Sequence, residues 1–272
     1  MRTNLFSQLV IRLMDLEVEI EETMYFALVA EKIHRISDKE RLNLPNFLLG
    51  EVRQEVTSSL YFDYFKSRKQ KIIDRFPSYA NLYAIIKLTA SWEAFLIECL
   101  VVMQMGEPIE RWTRELESTT RELIRREHGN KSGPNLLREL DQLYSLGIVS
   151  GQKFRSLVSI YKIRDCIAHR NGIISSWDFD KKSNVMATSW KKAVVKGEKG
   201  TTAWEVAGTR KFSTVLVRDN REWFENQNII IEASEVCDIA LNIIELGNKV
   251  FQRLIMWVNT HNIIPSQSNT NS

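Results

Sequence analysis

Apolar residues recur at steps of three and four over the first 35 positions of the chain, which is the spacing of one face of an α-helix. From Leu5 to about Arg35 this series comprises Leu9, Leu13, Leu16, Ile20, Met24, Ala27 and Leu28. Leu44–Pro45–Asn46 interrupts the series, and a mixed, basic stretch follows it. The pattern therefore predicts one long helix and then a break.

The most apolar part of the chain runs from Asn81 to Met105. Ser78, just before it, is a residue type that caps helix N-termini, so a helix is expected to begin there and to end near Gly106. Three charged residues interrupt this run: Lys87, Glu93 and Glu98. Charges at these depths are costly in lipid, so the run is predicted to be a buried core helix and not a membrane span.

Further helical patterns occupy most of the remaining chain. Charges at helical spacing between Glu107 and Glu127 predict an exposed amphipathic helix, and Leu136–Leu146 predicts a short one. A helix from Gln152 to about Arg170 is expected to stop at Asn171–Gly172. A last helix is expected from Ser234 to about Val258, with one apolar face formed by Ile239, Ile243, Leu246, Val250, Leu254 and Trp257.

Between Ile173 and Ile231 the pattern changes to β-favouring residues, with hairpin-turn signals at 197–200 ("GEKG") and 218–220 ("RDN"). The predicted fold class is therefore mainly α, a helical bundle with a small β-hairpin insertion before the last helix. The expected division is an N-terminal helical extension at 1–75, a helical domain at 76–262 with the insertion at about 173–231, and a disordered tail at 263–272.

Composition adds two constraints. The three cysteines are widely separated, which predicts no disulfide framework and favours a reducing, cytoplasmic compartment. Neither they nor the four histidines show metal-ligand spacing, and no nucleotide-binding glycine motif is present, so no metal and no cofactor are expected. The acids of "WDFD" at 177–180 leave a metal-dependent nuclease as a minor alternative.

Positive charge is concentrated in the predicted insertion. Positions 181–221 contain ten lysines and arginines against three acids, a net +7 in a chain whose total is +3. One interpretation is an RNA-binding surface on which Trp190, Trp204 or Phe212 stacks on bases. The cations expected to contact phosphate are Lys191, Lys192, Lys196, Arg210 and Lys211. The alternative is a solvated hairpin in which at least two tryptophans form a small core.

A charged motif lies at the end of the helix predicted at 152–170, in the stretch "YKIRDCIAHRNG" at 161–172. Arg164 falls within the apolar stripe of that helix and keeps its charge at any ordinary pH, so it requires a polar partner. Asp165 and His169 are four residues apart, so their side chains can meet and the carboxylate can fix the imidazole tautomer. The sequence thus places a permanent cation and an acid/base group at one helix end.

Arg164, Asp165 and His169 resemble the signature of the HEPN superfamily, an arginine followed after four to six residues by histidine, with a polar residue after the arginine. Many members have asparagine where this chain has Asp165. The apolar helix "SWEAFLIECL" also resembles the family, because Glu93 matches an acid often found early in HEPN cores. The resemblance covers about Ser78 to Val258, interrupted by the β segment, and does not clearly cover residues 1–75.

The resemblance implies a homodimeric helical bundle in which two copies of the motif form one site that cleaves single-stranded RNA without a metal. His169 would be the general acid or base, Arg164 would hold the phosphoryl oxygens, and Asp165 would orient His169. Glu93 and Asn171 would be supporting residues. The family further suggests a toxin–antitoxin or antiviral setting, with an antitoxin or another defence protein as partner.

Two alternatives stay open at this point. Arg164 can pair with Glu93 simply to hold two helices together, and His169 can be an ordinary helix-end residue. Some HEPN domains are not enzymes, so the second hypothesis is a non-catalytic interaction module that binds RNA, a nucleotide or a partner protein. Arg170 and Asn171 are placed to touch phosphate, and Cys166 is predicted to be a core residue.

Overall fold

The computed structural model describes residues 5–40, 59–106, 112–179, 184–196 and 213–261. The elements within these ranges are helices and one pair of strands, in the order α1 (Leu5–Glu40), α2 (Ser59–Met105), α3 (Arg114–His128), α4 (Gly133–Tyr144), α5 (Gln152–Arg170), β1 (Met186–Lys196), β2 (Ser213–Trp223) and α6 (Ala233–His261). A single 3₁₀ turn, Ser176–Asp178, follows α5. The chain is therefore mainly helical, with a small antiparallel hairpin before the last helix, and the predicted fold class is confirmed.

The core forms where α1, α2 and α6 pack together, and Trp92 of α2 is fully buried within it. The face that α1 directs inward includes Leu9, Leu16 and Ile20, each no more than 3% exposed. Gly247 of α6 permits this close approach, because a Cβ atom there would lie 2.9 Å from Leu16 Cδ2. The N-terminal helix thus shares one hydrophobic core with the helices that follow it.

A network of charged side chains ties α1 and α3 to the half-buried Glu98 of α2. Arg121 donates to both Glu98 oxygens, at 2.7 and 2.8 Å, and Arg12 Nε lies 3.6 Å from Glu98 Oε2. Burial acts to raise the pKa of Glu98, but the hydrogen bonds and charge of Arg121 and the charge of Arg12 outweigh it and hold that pKa below its usual value. The carboxylate is therefore ionised while it joins three helices.

The hairpin is anchored to the helices by one tryptophan and one amide. β1 and β2 pair in antiparallel register, with Trp190 opposite Asp219, and Trp190 is fully buried. The Asn242 side chain of α6 accepts from the Lys191 N–H at 3.1 Å and donates to the Lys191 carbonyl at 2.8 Å. Because this amide satisfies both backbone groups of Lys191, it fixes the edge of β1 against α6.

Two local predictions are wrong. Ser78 does not begin a helix, because α2 already starts at Ser59 and continues through Pro77. Positions 218–220 are not a turn, because they lie inside β2 and pair with β1. The turn predicted at 197–200 and the tail predicted at 263–272 lie outside the described residues. The division of the chain at residue 75 stays a prediction.

The apolar run from Asn81 to Met105 lies within α2 and contributes buried side chains to the core, among them Leu88, Trp92 and Leu96, as predicted. Within the ranges that the structure describes, no helix has the length and apolar character needed to cross a bilayer.

We expect Leu16→Ala to destabilise the whole helical core. Leu16 is 3% exposed and contacts α6, so its truncation leaves a cavity that costs about 2–5 kcal/mol of unfolding free energy. Leu143→Ala is the matched control, because Leu143 is 59% exposed and its truncation is expected to change stability by less than about 0.5 kcal/mol. Urea unfolding followed by circular dichroism measures both, and an unchanged midpoint for Leu16→Ala would show that α1 is not part of the cooperative core.

Candidate functional site

Helix α5 ends where the sequence predicts, and the way it ends fixes the position of the motif. Asn171 adopts the left-handed conformation, with φ of 51°, and its N–H donates to the Cys166 carbonyl. Gly172 follows with φ of 78°, which favours a residue without a Cβ atom. The buried thiol of Cys166 donates to the Ile173 carbonyl at 3.3 Å, and burial raises the pKa of that thiol to about 11. Cys166 is thus a core residue, as predicted.

The carboxylate of Asp178 locks the chain that leaves α5. Its side chain is 5% exposed and accepts hydrogen bonds from Nε and Nη2 of Arg170, the former at 3.0 Å. It also accepts from the Ser175 N–H at 2.9 Å and from the Ser175 hydroxyl at 3.2 Å. The last residue of α5 and the 3₁₀ turn are therefore held to each other by a bidentate, charge-assisted pair.

A second connection ties this region to the segment that precedes α6. The Ile174 N–H donates to the Gln227 carbonyl and the Asn226 N–H donates to the Ile174 carbonyl, both at 2.9 Å. The Ile229 N–H donates to the Gly172 carbonyl at 2.7 Å. The exit from α5 is thus bound by backbone hydrogen bonds to a second chain segment, which restricts its movement.

Arg164 and His169 both lie at the surface of the last turns of α5. The Arg164 side chain is 30% exposed, and His169 is exposed. Five residues along a helix correspond to about 7.5 Å of axial rise. Ala168 is exposed and lies between Arg164 and His169 around the helix, where its small side chain leaves the space between them open. At 100° per residue the two side chains leave the helix about 140° apart, so both are accessible on the last turns of α5 but on different faces.

Asp165 pairs with Arg164 and not with the histidine that it was expected to orient. Its Oδ1 lies 2.9 Å from Arg164 Nη1, and this hydrogen bond is the main cause of a raised pKa of Arg164. Among the described residues, no ion pair joins Asp165 to His169. Adjacent residues on a helix seldom face each other, but the long arginine side chain can fold back over the shorter aspartate.

Glu93 lies close to the motif, but its contacts differ from the expected ion pair with Arg164. Its Oε1 accepts the Gly133 N–H at 3.1 Å, at the start of α4. Burial, and then the negative charge of Glu93, raise the pKa of Tyr161, whose hydroxyl donates to the Thr89 carbonyl at 3.0 Å. The negative charge of Glu93 also contributes to the raised pKa of Arg164, so Glu93 supports the site electrostatically.

The residues predicted to bind RNA on the hairpin are only partly available. Lys191 is 20% exposed and its Nζ lies 3.0 Å from Glu245 Oε2, so this cation already has a carboxylate partner. Lys192 is exposed. The remaining three cations, Lys196, Arg210 and Lys211, have side chains outside the described residues.

The prediction that Trp190 stacks on bases is wrong, because this side chain is fully buried. Trp223 is 8% exposed, and its Nε1 donates to Thr188 Oγ1 at 3.0 Å. Two tryptophans thus form the small core of the hairpin, which was the alternative interpretation. Trp204 and Phe212 lie outside the described residues.

The structure adds one residue that the sequence analysis did not select, Trp177. Its side chain is 90% exposed, and it stands in the 3₁₀ turn next to Asp178. A signal for this turn was present: Ser175 and Asp178 are three residues apart and form a capping box. The Arg170–Asp178 ion pair connects this turn to the end of α5. The exposed indole of Trp177 is therefore available to stack on a flat ligand near that helix end.

Other parts of the described chain offer less to a reaction. An open cavity of about 650 Å³ lies at the base of the hairpin, lined by residues that include Arg221, Asn226, Gln227 and Glu235. None of the predicted catalytic residues lines it. Within the described ranges, no group of three or more histidine, cysteine or acidic side chains is placed to hold a metal ion. Asp178, one acid of the alternative metal site, is occupied by Arg170 and Ser175.

No match to this chain was found among protein-family models, curated proteins or solved structures. The site must therefore be interpreted from its own residues. A permanent cation and an imidazole on an accessible helix end can bind an oxyanion and transfer a proton, which are the two tasks that acyl or phosphoryl transfer requires.

The two arginine–aspartate pairs at this helix end are expected to differ in their effect on stability. Arg170→Ala leaves Asp178, 5% exposed, without its counter-ion, which costs roughly 3–5 kcal/mol. Arg164→Ala frees Asp165, which is 48% exposed and can be hydrated, so the cost is below about 1 kcal/mol. Denaturant unfolding of the two variants measures this difference, and equal losses would mean that Arg164 is also a structural residue.

Proposed function

We propose that the chain is a HEPN-type, metal-independent endoribonuclease that cleaves single-stranded RNA. The observation that carries the proposal is the joint exposure of Arg164 and His169 at the end of α5, beside a turn that presents Trp177 to solvent. Arg170 is committed to the buried Asp178, whereas Arg164 pairs with Asp165, which is 48% exposed. An exposed histidine one and a half turns along the helix from a partly exposed arginine leaves both side chains available to a ligand.

The proposed reaction uses the ribose 2′-hydroxyl as nucleophile. Its oxygen attacks the adjacent phosphorus while its proton passes to His169, and the bond from phosphorus to the 5′-oxygen breaks. The leaving 5′-oxygen receives a proton from a second acid, and the products are a 2′,3′-cyclic phosphate and a 5′-hydroxyl. Arg164 stabilises the charge on the non-bridging oxygens, for which its planar fork of N–H donors is suited.

A homodimer supplies the second acid in this proposal. If two copies bring their α5 ends together about a two-fold axis, one His169 accepts the proton and the partner's His169 donates it. Each imidazole then performs one task, and the roles exchange in the next cycle. The biological setting that we propose, by resemblance, is RNA cleavage in the cytoplasm as a toxin or antiviral effector, controlled by an antitoxin or another defence protein.

One observation favours the second hypothesis, a non-catalytic interaction module. Arg164 is hydrogen-bonded to Asp165 at 2.9 Å, so binding of a phosphoryl group has to compete with a carboxylate on the same chain. In an inactive module this pair would be a surface feature of a protein that binds RNA, a nucleotide or a partner. A cleavage assay separates the two hypotheses.

The first prediction of the proposed function is that the chain cleaves RNA. In the presence of EDTA the purified chain is expected to cut single-stranded RNA, and His169→Ala is expected to slow cutting about 10²–10⁴-fold because general acid–base catalysis is lost. Arg164→Ala is expected to reduce the rate comparably, because a charge-stabilising contact to the phosphoryl oxygens is lost. Rates are measured on a labelled oligonucleotide under single-turnover conditions.

Two variants of matched chemistry serve as controls for these substitutions. Arg155 is an exposed arginine near the start of α5 and His261 is an exposed histidine at the end of α6, and both are expected to tolerate alanine without loss of rate. If His169→Ala and Arg164→Ala cut like the parent, the assignment to these residues fails. If the parent binds RNA or a protein tightly but never cuts, the module hypothesis replaces the nuclease.

The second prediction of the proposed function is that Trp177 stacks on an unpaired base. Stacking on an aromatic side chain contributes about 1–3 kcal/mol per base, so Trp177→Ala is expected to weaken binding of a non-cleavable 2′-O-methyl oligonucleotide by roughly 10-fold or more. Trp177→Phe is expected to retain most of the affinity. Fluorescence anisotropy measures both, and equal affinity for the parent and the alanine variant would exclude Trp177 from the RNA contact.

A further inference from the structure

Helix α1 carries apolar side chains on two opposite faces. One face is the buried row that packs on α2 and α6. The other face is exposed over the described side chains of α1 and consists of Ile11, Met14, Val18, Tyr25 and Leu28, whose exposed fractions run from 42% to 71%. At 100° per residue, Ile11, Met14, Val18 and Tyr25 lie nearly opposite the buried row, and Leu28 lies about 100° from it. A helix that is apolar on both sides is expected to be covered on both sides.

The spacing of the exposed row is that of a coiled-coil seam. The steps from Ile11 to Met14, Val18, Tyr25 and Leu28 are three, four, seven and three residues. They fill alternate a and d positions of a heptad, and Glu21 occupies the one intermediate d position. The row spans about 26 Å of helix, enough for several layers of side chains from a facing helix to interlock. We call these six residues, including Glu21, the α1 seam.

The charges beside the α1 seam have one sign over most of its length. Asp15, Glu17 and Glu22 flank it, and Glu21 lies within it. The nearby cation Arg12 contacts Glu117 at 3.3 Å and Glu98 at 3.6 Å, and its Nη1 also lies 3.8 Å from Asp15 Oδ2. The negative charge of the seam is therefore carried mainly by Glu17, Glu21 and Glu22. Lys32 stands at the far end of the seam. The positions that set partner choice in coiled coils are therefore acidic here.

This charge pattern argues against a second copy as the occupant. In a parallel pair, a g position faces the e position five residues further along the partner, so Glu17 of one copy would oppose Glu22 of the other. In an antiparallel pair centred on these residues, acids also meet acids, because all four lie between positions 15 and 22. Like charges in such positions destabilise the pairing. An anionic lipid surface would be repelled for the same reason.

We propose that the α1 seam docks an amphipathic helix of another protein, with apolar residues at its own core positions and lysine or arginine at the flanking positions. Charge complementarity selects this occupant, while the apolar row provides the buried area. The proposal is independent of the cleavage chemistry, because it concerns a different helix and none of its residues is part of the α5 motif. Its success or failure therefore does not decide the proposed function.

The test uses the full chain and two synthetic peptides of four heptads. Both peptides have leucine at the core positions, and one has lysine and the other glutamate at the flanking positions, so that neither pairs with itself. We expect the lysine peptide to bind at least 10-fold more tightly than the glutamate peptide, and its affinity to fall with added salt. The double variant Met14→Lys/Val18→Lys is expected to weaken binding of the lysine peptide at least 10-fold. Fluorescence anisotropy measures each affinity.

Met256→Lys is the matched control, because Met14 and Met256 are both 57% exposed and Met256 lies on α6, away from the seam. Binding by this variant is expected to stay within about 2-fold of the parent, and far-ultraviolet circular dichroism verifies that all variants remain folded. The proposal is overturned if the lysine peptide does not bind, if both peptides bind equally, or if the double variant binds like the parent. It is also overturned if sedimentation shows a parent dimer that the double variant dissociates, because the occupant would then be a second copy.

Discussion

The candidate site depends on the hydrogen bonds that the Asp178 carboxylate accepts from Arg170 and Ser175. This carboxylate is 5% exposed, accepts from Arg170 through two nitrogens and accepts from the backbone and hydroxyl of Ser175. A buried charge is tolerated only when it is paired and hydrogen-bonded, so the turn that carries Trp177 and the end of α5 cannot separate without leaving a charge unpaired. This buried pair therefore holds the turn of Trp177 to the end of the helix that carries the motif.

Arg164 and Arg170 of α5 differ in role because their acid partners differ in burial. Arg170 meets a buried acid and acts as a structural tie, whereas Arg164 meets an acid that is 48% exposed. Water can replace Arg164 at Asp165 at little cost, so Arg164 can exchange this partner for the phosphoryl group of the proposed reaction. Glu93 adds its charge from within the core, where the Gly133 N–H holds it. The site thus combines fixed surroundings, formed by the Arg170–Asp178 pair and Glu93, with a guanidinium that can exchange partners.

Helix spacing alone predicted much of the fold, because apolar periodicity is a local property. The bounds of α5 and its stop at Asn171 follow from residue type and spacing. Residue type left open which tryptophans are buried in the hairpin core, and the structure shows Trp190 and Trp223 there. The extension of α2 back to Ser59 did not follow from residue type and spacing, since Pro77 and Ser78 favour a helix start locally, whereas the helix runs through both. The ion-pair partners could not be predicted from the sequence either. The pairing of Asp165 with Arg164 and of Lys191 with Glu245 depends on side-chain direction and tertiary contacts, which the sequence does not show.

The most direct measurement of the central claim is the mass of the products formed from an oligonucleotide that contains a single ribose among 2′-deoxyribose units. With EDTA present, attack by the 2′-hydroxyl predicts one cut, on the 3′ side of that ribose, with a 2′,3′-cyclic phosphate on one fragment and a 5′-hydroxyl on the other. Cuts at deoxyribose positions, or fragments that carry a 5′-phosphate, would contradict the account, because those products require water and not the ribose as the nucleophile.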